Sequence, residues 1–234
     1  HLPENETFTT MLARAVGVET VDIELYQTSK SRIAVVKRYD RMENDGVYRR
    51  IHQEDFCQAL GKHPQEKYEQ EGGPTLRNCI ELIKDVCSVP VSDLEKLIRW
   101  VMFNWLVHNA DAHAKNISLM FANGQTKLTP FYDLVCTNNY PLLSKKLAMS
   151  IGGEFFPGAV TSKHLVNFAE ELELNPSYVN QIARETVARL QDSLSPTIVE
   201  FKERYGDSPI LQRIPRIVRN RCKRALKTSL NDQS

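Results

Sequence analysis

The sequence predicts an α+β fold, and two observations predict it. β-branched runs punctuated by turn residues sit in the first fifty residues and in one short stretch near the middle. Almost everywhere else, apolar residues recur at three- and four-residue steps, the spacing that gives a helix one buried face. At the start, Phe8, Met11, Leu12 and Ala15 follow that spacing and predict a helix over 4–16, stopped by Gly17. Val21 to Tyr26 and Arg32 to Lys37 flank Gln27-Thr28-Ser29-Lys30-Ser31 and read as a hairpin. Asn44-Asp45-Gly46 marks a turn within 40–48, and from His52 onward the pattern reads as mostly helical. Leu94, Leu97, Ile98, Val101, Met102, Trp105 and Leu106 form a broad apolar stripe, with Ser92 or Asp93 as its cap. Its width, and the placement of Trp100 and Trp105 on it, predict a buried helix. Ile117 to Phe121 and Lys127 to Leu128 read as two short strands around Asn123-Gly124. After Gly152-Gly153 the reading is helical, over 161–171, 175–192, 195–205 and 211–228.

Bulk properties narrow the function. A chain of 234 residues suffices for one large domain or two small ones, with a sizeable core. A net charge of +1 gives no global electrostatic case for nucleic-acid binding. The five cysteines (57, 79, 87, 136 and 222) form no CxxC pair, which favours reduced thiols in the cytoplasm over a disulfide framework or a zinc site. No apolar run approaches the roughly 18 residues of a membrane span. The chain begins at His1, directly on a helix signal, and is expected to be preceded by further sequence.

The chemistry concentrates in Asp111-Ala112-His113-Ala114-Lys115-Asn116, followed by Pro130-Phe131-Tyr132-Asp133. An acid and an amide stand five residues apart, and a second acid follows a short hairpin. Phosphoryl-transfer enzymes use that order: one carboxylate orients the attacking hydroxyl, and an amide oxygen with a second carboxylate holds magnesium against the phosphates. Hard magnesium takes oxygen ligands and keeps waters, so two protein ligands suffice when phosphates supply others. Lys115 would offset phosphate charge, and His113 would orient Asp111 or touch phosphate. Taken singly, Asp111, Asn116 and Asp133 read more readily as turn-forming residues. A buried helix ending in D-x-H-x-K-N, then a hairpin and F-Y-D, is an odd way to write two turns.

Further segments join these: Arg38-Tyr39-Asp40-Arg41, Gln53-Glu54-Asp55-Phe56-Cys57-Gln58, Lys67-Tyr68-Glu69 with Gly72-Gly73-Pro74, and Leu128-Thr129-Pro130-Phe131-Tyr132-Asp133. Together, over nearly the whole chain, they resemble the HipA family of serine/threonine kinase toxins from bacterial toxin–antitoxin systems. The resemblance implies a protein-kinase-like fold, with residues 1–38 as part of an N-lobe leading to the hinge and 39–234 as a helical catalytic C-lobe. It implies ATP and Mg2+ as cofactors, with Asp111 and Lys115 catalytic and Asn116 and Asp133 as metal ligands. Lys37, Arg38, Tyr39, His113, Ala114, Lys115, Asn116, Tyr132 and Asp133 would line the nucleotide site. Glu6 is the expected partner of a nucleotide-binding lysine. The implied substrate is an aminoacyl-tRNA synthetase, whose phosphorylation arrests translation, and the implied partners are a helix-turn-helix antitoxin of the HipB type and, through it, operator DNA. A phosphate-covering loop and an ATP-binding lysine are expected upstream of His1, so this chain alone is expected to bind Mg-ATP weakly and transfer phosphate slowly or not at all.

Arg213, Arg216, Arg219, Arg221, Lys223, Arg224 and Lys227 form a basic run without an acid. Alternating with Ile214, Ile217, Val218 and Leu226, it reads as a docked terminal helix with a solvated basic face. His108 reads as a structural histidine, and Tyr68, with Glu69 and Glu71, as part of a substrate- or partner-facing loop or a solvated turn. The alternative to a kinase is a catalytically incompetent fragment or pseudokinase acting as an antitoxin- or DNA-binding module. A phosphohydrolase would want more His and Asp ligands than this region offers.

Overall fold

The computed structural model describes residues 1–230. Helix α1 (Leu2–Ala15) carries a proline in its first turn, where the missing N–H costs nothing, and stops before Gly17. Strands β1 (Ile23–Gln27) and β2 (Arg32–Val36) form an antiparallel hairpin, with Ile23 opposite Val36 and Gln27 opposite Arg32. A second hairpin, β3 (Arg41–Asn44) and β4 (Val47–Arg50), turns through Asp45 and Gly46. Both residues are left-handed, the conformation that suits a two-residue turn to the twist of the strands.

The third sheet departs from the sequence reading. His52–Asp55 is strand β5, not the start of a helical region; it pairs with β6 (Ser118–Ala122), which pairs in turn with β7 (Gln125–Leu128). His-Gln-Glu-Asp has no apolar alternation, so only its remote partner fixes it as a strand. Helix α2 (Phe56–Ala59) follows at once from a capping box between Asp55 and Gln58.

Helix α3 (Leu76–Val86) opens with a Thr75–Asn78 capping box. Helix α4 (Pro90–Val107) starts at Pro90 rather than after Ser92 or Asp93; the proline takes the first turn and no side chain caps the end. Trp100 and Trp105 on this helix are buried. Around α4 pack α3, α6 (Pro176–Tyr205) and α7 (Ile210–Thr228), while α5 (Ser162–Glu171) lies on α6. Helix α1 joins the same core through Phe8, whose ring meets Phe201 of α6 edge-on at 5.9 Å. All five cysteines are buried free thiols. The basic residues of α7 mostly face solvent while Ile214, Val218 and Cys222 are buried. Among the described residues, no helix is long and apolar enough to cross a membrane.

Helix α6 replaces two expected segments, because Pro196 lies inside it without ending it. Leu190, Leu194, Thr197 and Phe201 keep that helix buried on one face through the proline, and packing overrides the broken ladder. The proline itself is exposed. Replacing Pro196→Ala restores an N–H to the ladder and is expected to raise stability by about 1–3 kcal/mol. Urea unfolding midpoints measure it; an unchanged or lowered midpoint would mean that the helix is already adapted to the proline.

Candidate active site

The loop carrying Asp111 leaves α4 through His108, whose left-handed φ of +60° turns the chain. His108 is a structural residue. Its Nδ1 lies 3.2 Å from the Arg221 guanidinium, which only donates, so Nε2 carries the proton and gives it to the Lys145 carbonyl at 3.1 Å. Burial, reinforced by the Arg221 charge, pushes its pKa down to about 4, and the ring stays neutral.

Asparagine side chains then build the loop. Asn109 donates its side-chain amide to the Asn104 side chain at 2.9 Å, and its own Oδ1 accepts the Asp111 backbone N–H at 3.1 Å. Thr137, from the segment that follows Asp133, donates to the His108 carbonyl at 2.9 Å and accepts from the Ala110 N–H at 2.8 Å. The neighbouring Cys136 is held by Asn5 of α1: the Asn5 amide donates to the Cys136 carbonyl at 3.0 Å and accepts its N–H at 2.9 Å. Helix α1, the loop after α4 and the chain after Asp133 are thus one buried hydrogen-bonded unit.

Asp133 is delivered by an anchored Phe131. That ring stacks on Trp100 with centroids 5.4 Å apart, and its backbone pairs with Glu19 and Val21. Asp133 itself takes a left-handed φ of +56°, which aspartate tolerates better than most side chains. The structure brings Asp111 and Asp133 onto one cavity of about 540 Å³, also lined by Tyr68, Glu71, Leu143 and Lys146. Asn116, at the end of a single 3-10 turn (Ala114–Asn116), donates to the Asp111 carbonyl at 2.9 Å and also reaches the Asp133 carboxylate. With its amide nitrogen so committed, its carbonyl oxygen is the group left for a cation.

The electrostatics are those of an anionic site. Burial and then the Asp111 charge raise the Asp133 pKa, against the opposing effects of Asn116 and Lys67. Burial and then Asp133 raise that of Glu6, which lies half-buried on α1 in the field of the same carboxylate. Among the described residues, no cluster of three or more His, Cys, Asp or Glu could hold a metal ion alone. The Asp133 carboxylate and the Asn116 amide oxygen, in the field of Asp111, instead fit a hard cation whose remaining ligands come from water and phosphate.

The other expected residues fall in two places. His113 is buried, its Nε2 3.5 Å from Asp111 Oδ1, and burial keeps its pKa low. Tyr132 donates to the Lys115 carbonyl at 2.8 Å, meets Ser118 Oγ at 2.7 Å, and stacks on Tyr39 at 6.3 Å. Arg38 turns instead to Asp40, bonded at 2.7 and 2.6 Å, and the Lys37 N–H is taken by the Asp22 carbonyl at 2.9 Å. The charge of Lys115 is felt at His113 and Cys57, whereas the cation felt at Asp133 is Lys67. Lys67 was not expected near the site, and Tyr68 was expected only in a substrate- or partner-facing loop or a solvated turn. Tyr68 donates its phenol to Asp111 Oδ1 at 2.5 Å, and the one sequence signal for it was Lys67-Tyr68-Glu69 before the Gly72-Gly73-Pro74 turn.

The family described as the HipA-like C-terminal domain matches residues 1–194. The chain belongs to that family. Among HipA relatives, the serine/threonine-protein kinase toxin HipA of Shewanella oneidensis is 30% identical over 212 residues, covering 85% of this chain and 49% of its own. The Sinorhizobium fredii protein Y4mE, whose name describes a kinase, is 38% identical over 221 residues, covering 94% of this chain and 53% of its own. The chain therefore spans about half the length of the curated relatives it matches. The Shewanella oneidensis HipA structure, solved with HipB and operator DNA, superposes with a TM-score of 0.90 at 26% identity, over 100% of this chain and 58% of that one. The Helicobacter pylori kinase CtkA shares the fold alone, with a TM-score of 0.61 at 10% identity over 97% of this chain and 81% of its own. The HipA-like fold is α+β and kinase-like, as the sequence predicts.

Removing the Asn5 side chain leaves the Cys136 N–H and the Thr9 hydroxyl buried without the acceptor they share, while the Cys136 carbonyl keeps the Asn139 N–H at 3.2 Å. Asn5→Ala is expected to cost roughly 2–4 kcal/mol, read by urea unfolding; a loss below about 0.5 kcal/mol would show that water replaces the amide.

Proposed function

We propose that this chain is the catalytic region of an ATP-dependent serine/threonine protein kinase of the HipA toxin type. The observation that carries the reading is the convergence of Asp111 and Asp133 on one cavity, with Asn116 bonded to the Asp111 carbonyl and the Asp133 carboxylate and with Lys67 and Lys146 among the cations nearby. Residues 1–38 lead to the nucleotide hinge and 39–234 form the catalytic lobe, against which α1 lies through Phe8 and Phe201. Mg-ATP supplies the phosphoryl group and the cation that balances its charge.

Asp111 orients the acceptor hydroxyl and takes its proton late in the transfer. The Asn116 oxygen and the Asp133 carboxylate hold the magnesium, and His113 and Lys115 lie on the phosphate side. Tyr39, stacked on Tyr132, forms the wall where the base sits, with Lys37 and Arg38 contributing main chain. A cytoplasmic aminoacyl-tRNA synthetase is the substrate, from the family resemblance. An antitoxin of the HipB type and operator DNA are the partners, supported by the Shewanella assembly that this fold matches.

With Mg2+, γ-labelled ATP and a purified bacterial aminoacyl-tRNA synthetase, the protein is expected to label the synthetase on serine or threonine. Asp111→Asn is expected to slow labelling by roughly 100-fold or more, whereas equal labelling would remove Asp111 from the chemistry. Because the Asp133 pKa is raised, protons compete with the cation, so Mg2+ affinity is expected to fall on acidification. An affinity independent of pH down to the carboxylate range would place the cation elsewhere.

A further inference from the structure

The two oxygens of Asp111 stand in unequal surroundings. Oδ1 accepts the Tyr68 phenol at 2.5 Å and lies 3.5 Å from His113 Nε2. The carboxylate is nevertheless 43% exposed and lines the cavity, which leaves Oδ2 as the oxygen open to it. A carboxylate turns broadly about its last torsion, so one donor fixed on one oxygen decides where the other points.

The Tyr68 ring is itself held. His113 meets it edge-on at 5.4 Å, and the Lys67 ammonium lies 4.9 Å from its centroid. Beneath it, the turn over 69–72 is tied to the segment after Asp133. The Glu69 N–H donates to the Ala148 carbonyl at 3.0 Å, and the Glu69 carboxylate accepts from Ser150 N–H at 2.6 Å and Ser150 Oγ at 2.8 Å. Gly73 closes the turn where no side chain fits: a Cβ would stand 2.6 Å from the Glu66 carbonyl oxygen and 2.7 Å from that of Tyr68. So rigid a support is what a group needs to hold another within a few tenths of an ångström.

We infer that Tyr68 is a positioning residue for phosphoryl transfer: its hydroxyl fixes Oδ1 of Asp111 so that Oδ2 faces the acceptor hydroxyl in the cavity. The inference rests on the reading of Asp111 as the group that orients the acceptor. Burial and the hydrogen bond to Asp111 raise the phenol pKa, so Tyr68 keeps its proton across the neutral range and donates throughout. His113, neutral and farther away, cannot replace it. Because the Tyr68 turn is bonded to residues 148 and 150, the aim of Asp111 also depends on that wall of the cavity being docked.

Tyr68→Phe keeps the ring and deletes the donor. Carboxyl-carbon NMR of the protein at neutral pH, with Asp111 assigned through Asp111→Asn, is expected to show the Asp111 carboxyl resonance displaced in Tyr68→Phe, because the bond to Oδ1 is gone. In phosphoryl transfer, kcat is expected to fall about tenfold while the KM for Mg-ATP stays within about twofold. Ser150→Ala, which loosens the turn but keeps the phenol, should move both readouts the same way by less. An unmoved Asp111 resonance in Tyr68→Phe overturns the inference, and so does a displaced resonance with unchanged kcat. A wild-type protein that phosphorylates nothing while the resonance is still displaced would leave the hydrogen bond standing and instead sink the reading of Asp111 as the acceptor-orienting group of this chain, and the positioning role with it.

Discussion

The buried hydrogen bonds that run from Asn5 through Cys136 and Thr137 to the loop after α4 hold the site together against its own charge. Asn5 satisfies both backbone groups of Cys136, and Thr137 bridges the backbone on either side of Asn109. Each bond is buried, so leaving one unmade costs more than making it gains. That asymmetry fixes the spacing of Asp111 and Asp133 without any contact between the two. The core beneath, Trp100 on Phe131 and Phe8 on Phe201, keeps α1, α4 and α6 from relaxing the arrangement.

What the frame holds is electrostatically incomplete. Asp133 and Glu6 both have raised pKa values, first from burial and then from a neighbouring carboxylate. Structural ion pairs do the opposite, as at Asp40, whose pKa is lowered chiefly by its hydrogen bond to Arg38. Carboxylates kept close with little compensation are a common mark of a functional site, because the missing positive charge is brought by a ligand. The Tyr68 phenol adds direction to this charge.

How much of this was legible follows from how far apart the partners lie in sequence. Asp111, Asn116 and Asp133 are separated by one turn and one hairpin, so spacing and turn residues suffice to bring them together. Tyr68 reaches Asp111 across 43 positions, and no periodicity links the two. His52–Asp55 was hidden for the same reason, since its pairing partner begins more than sixty positions later. Pro196 misled in the other direction: a local breaker was overruled by the buried face of α6. The hairpins and the stripe of α4 were readable because their signals are local. Lys67 carries no local signal for its place near Asp133.

Calorimetric titration of Mg-ATP into the protein and into Asp133→Ala tests the central claim most directly. The expected result is magnesium-dependent binding to the wild type that the substitution abolishes, with the apoprotein still unfolding cooperatively although alanine fits the left-handed backbone at 133 less well than aspartate. Binding of equal affinity in the two proteins, with and without magnesium, would contradict it, because the nucleotide would then lie away from Asp133.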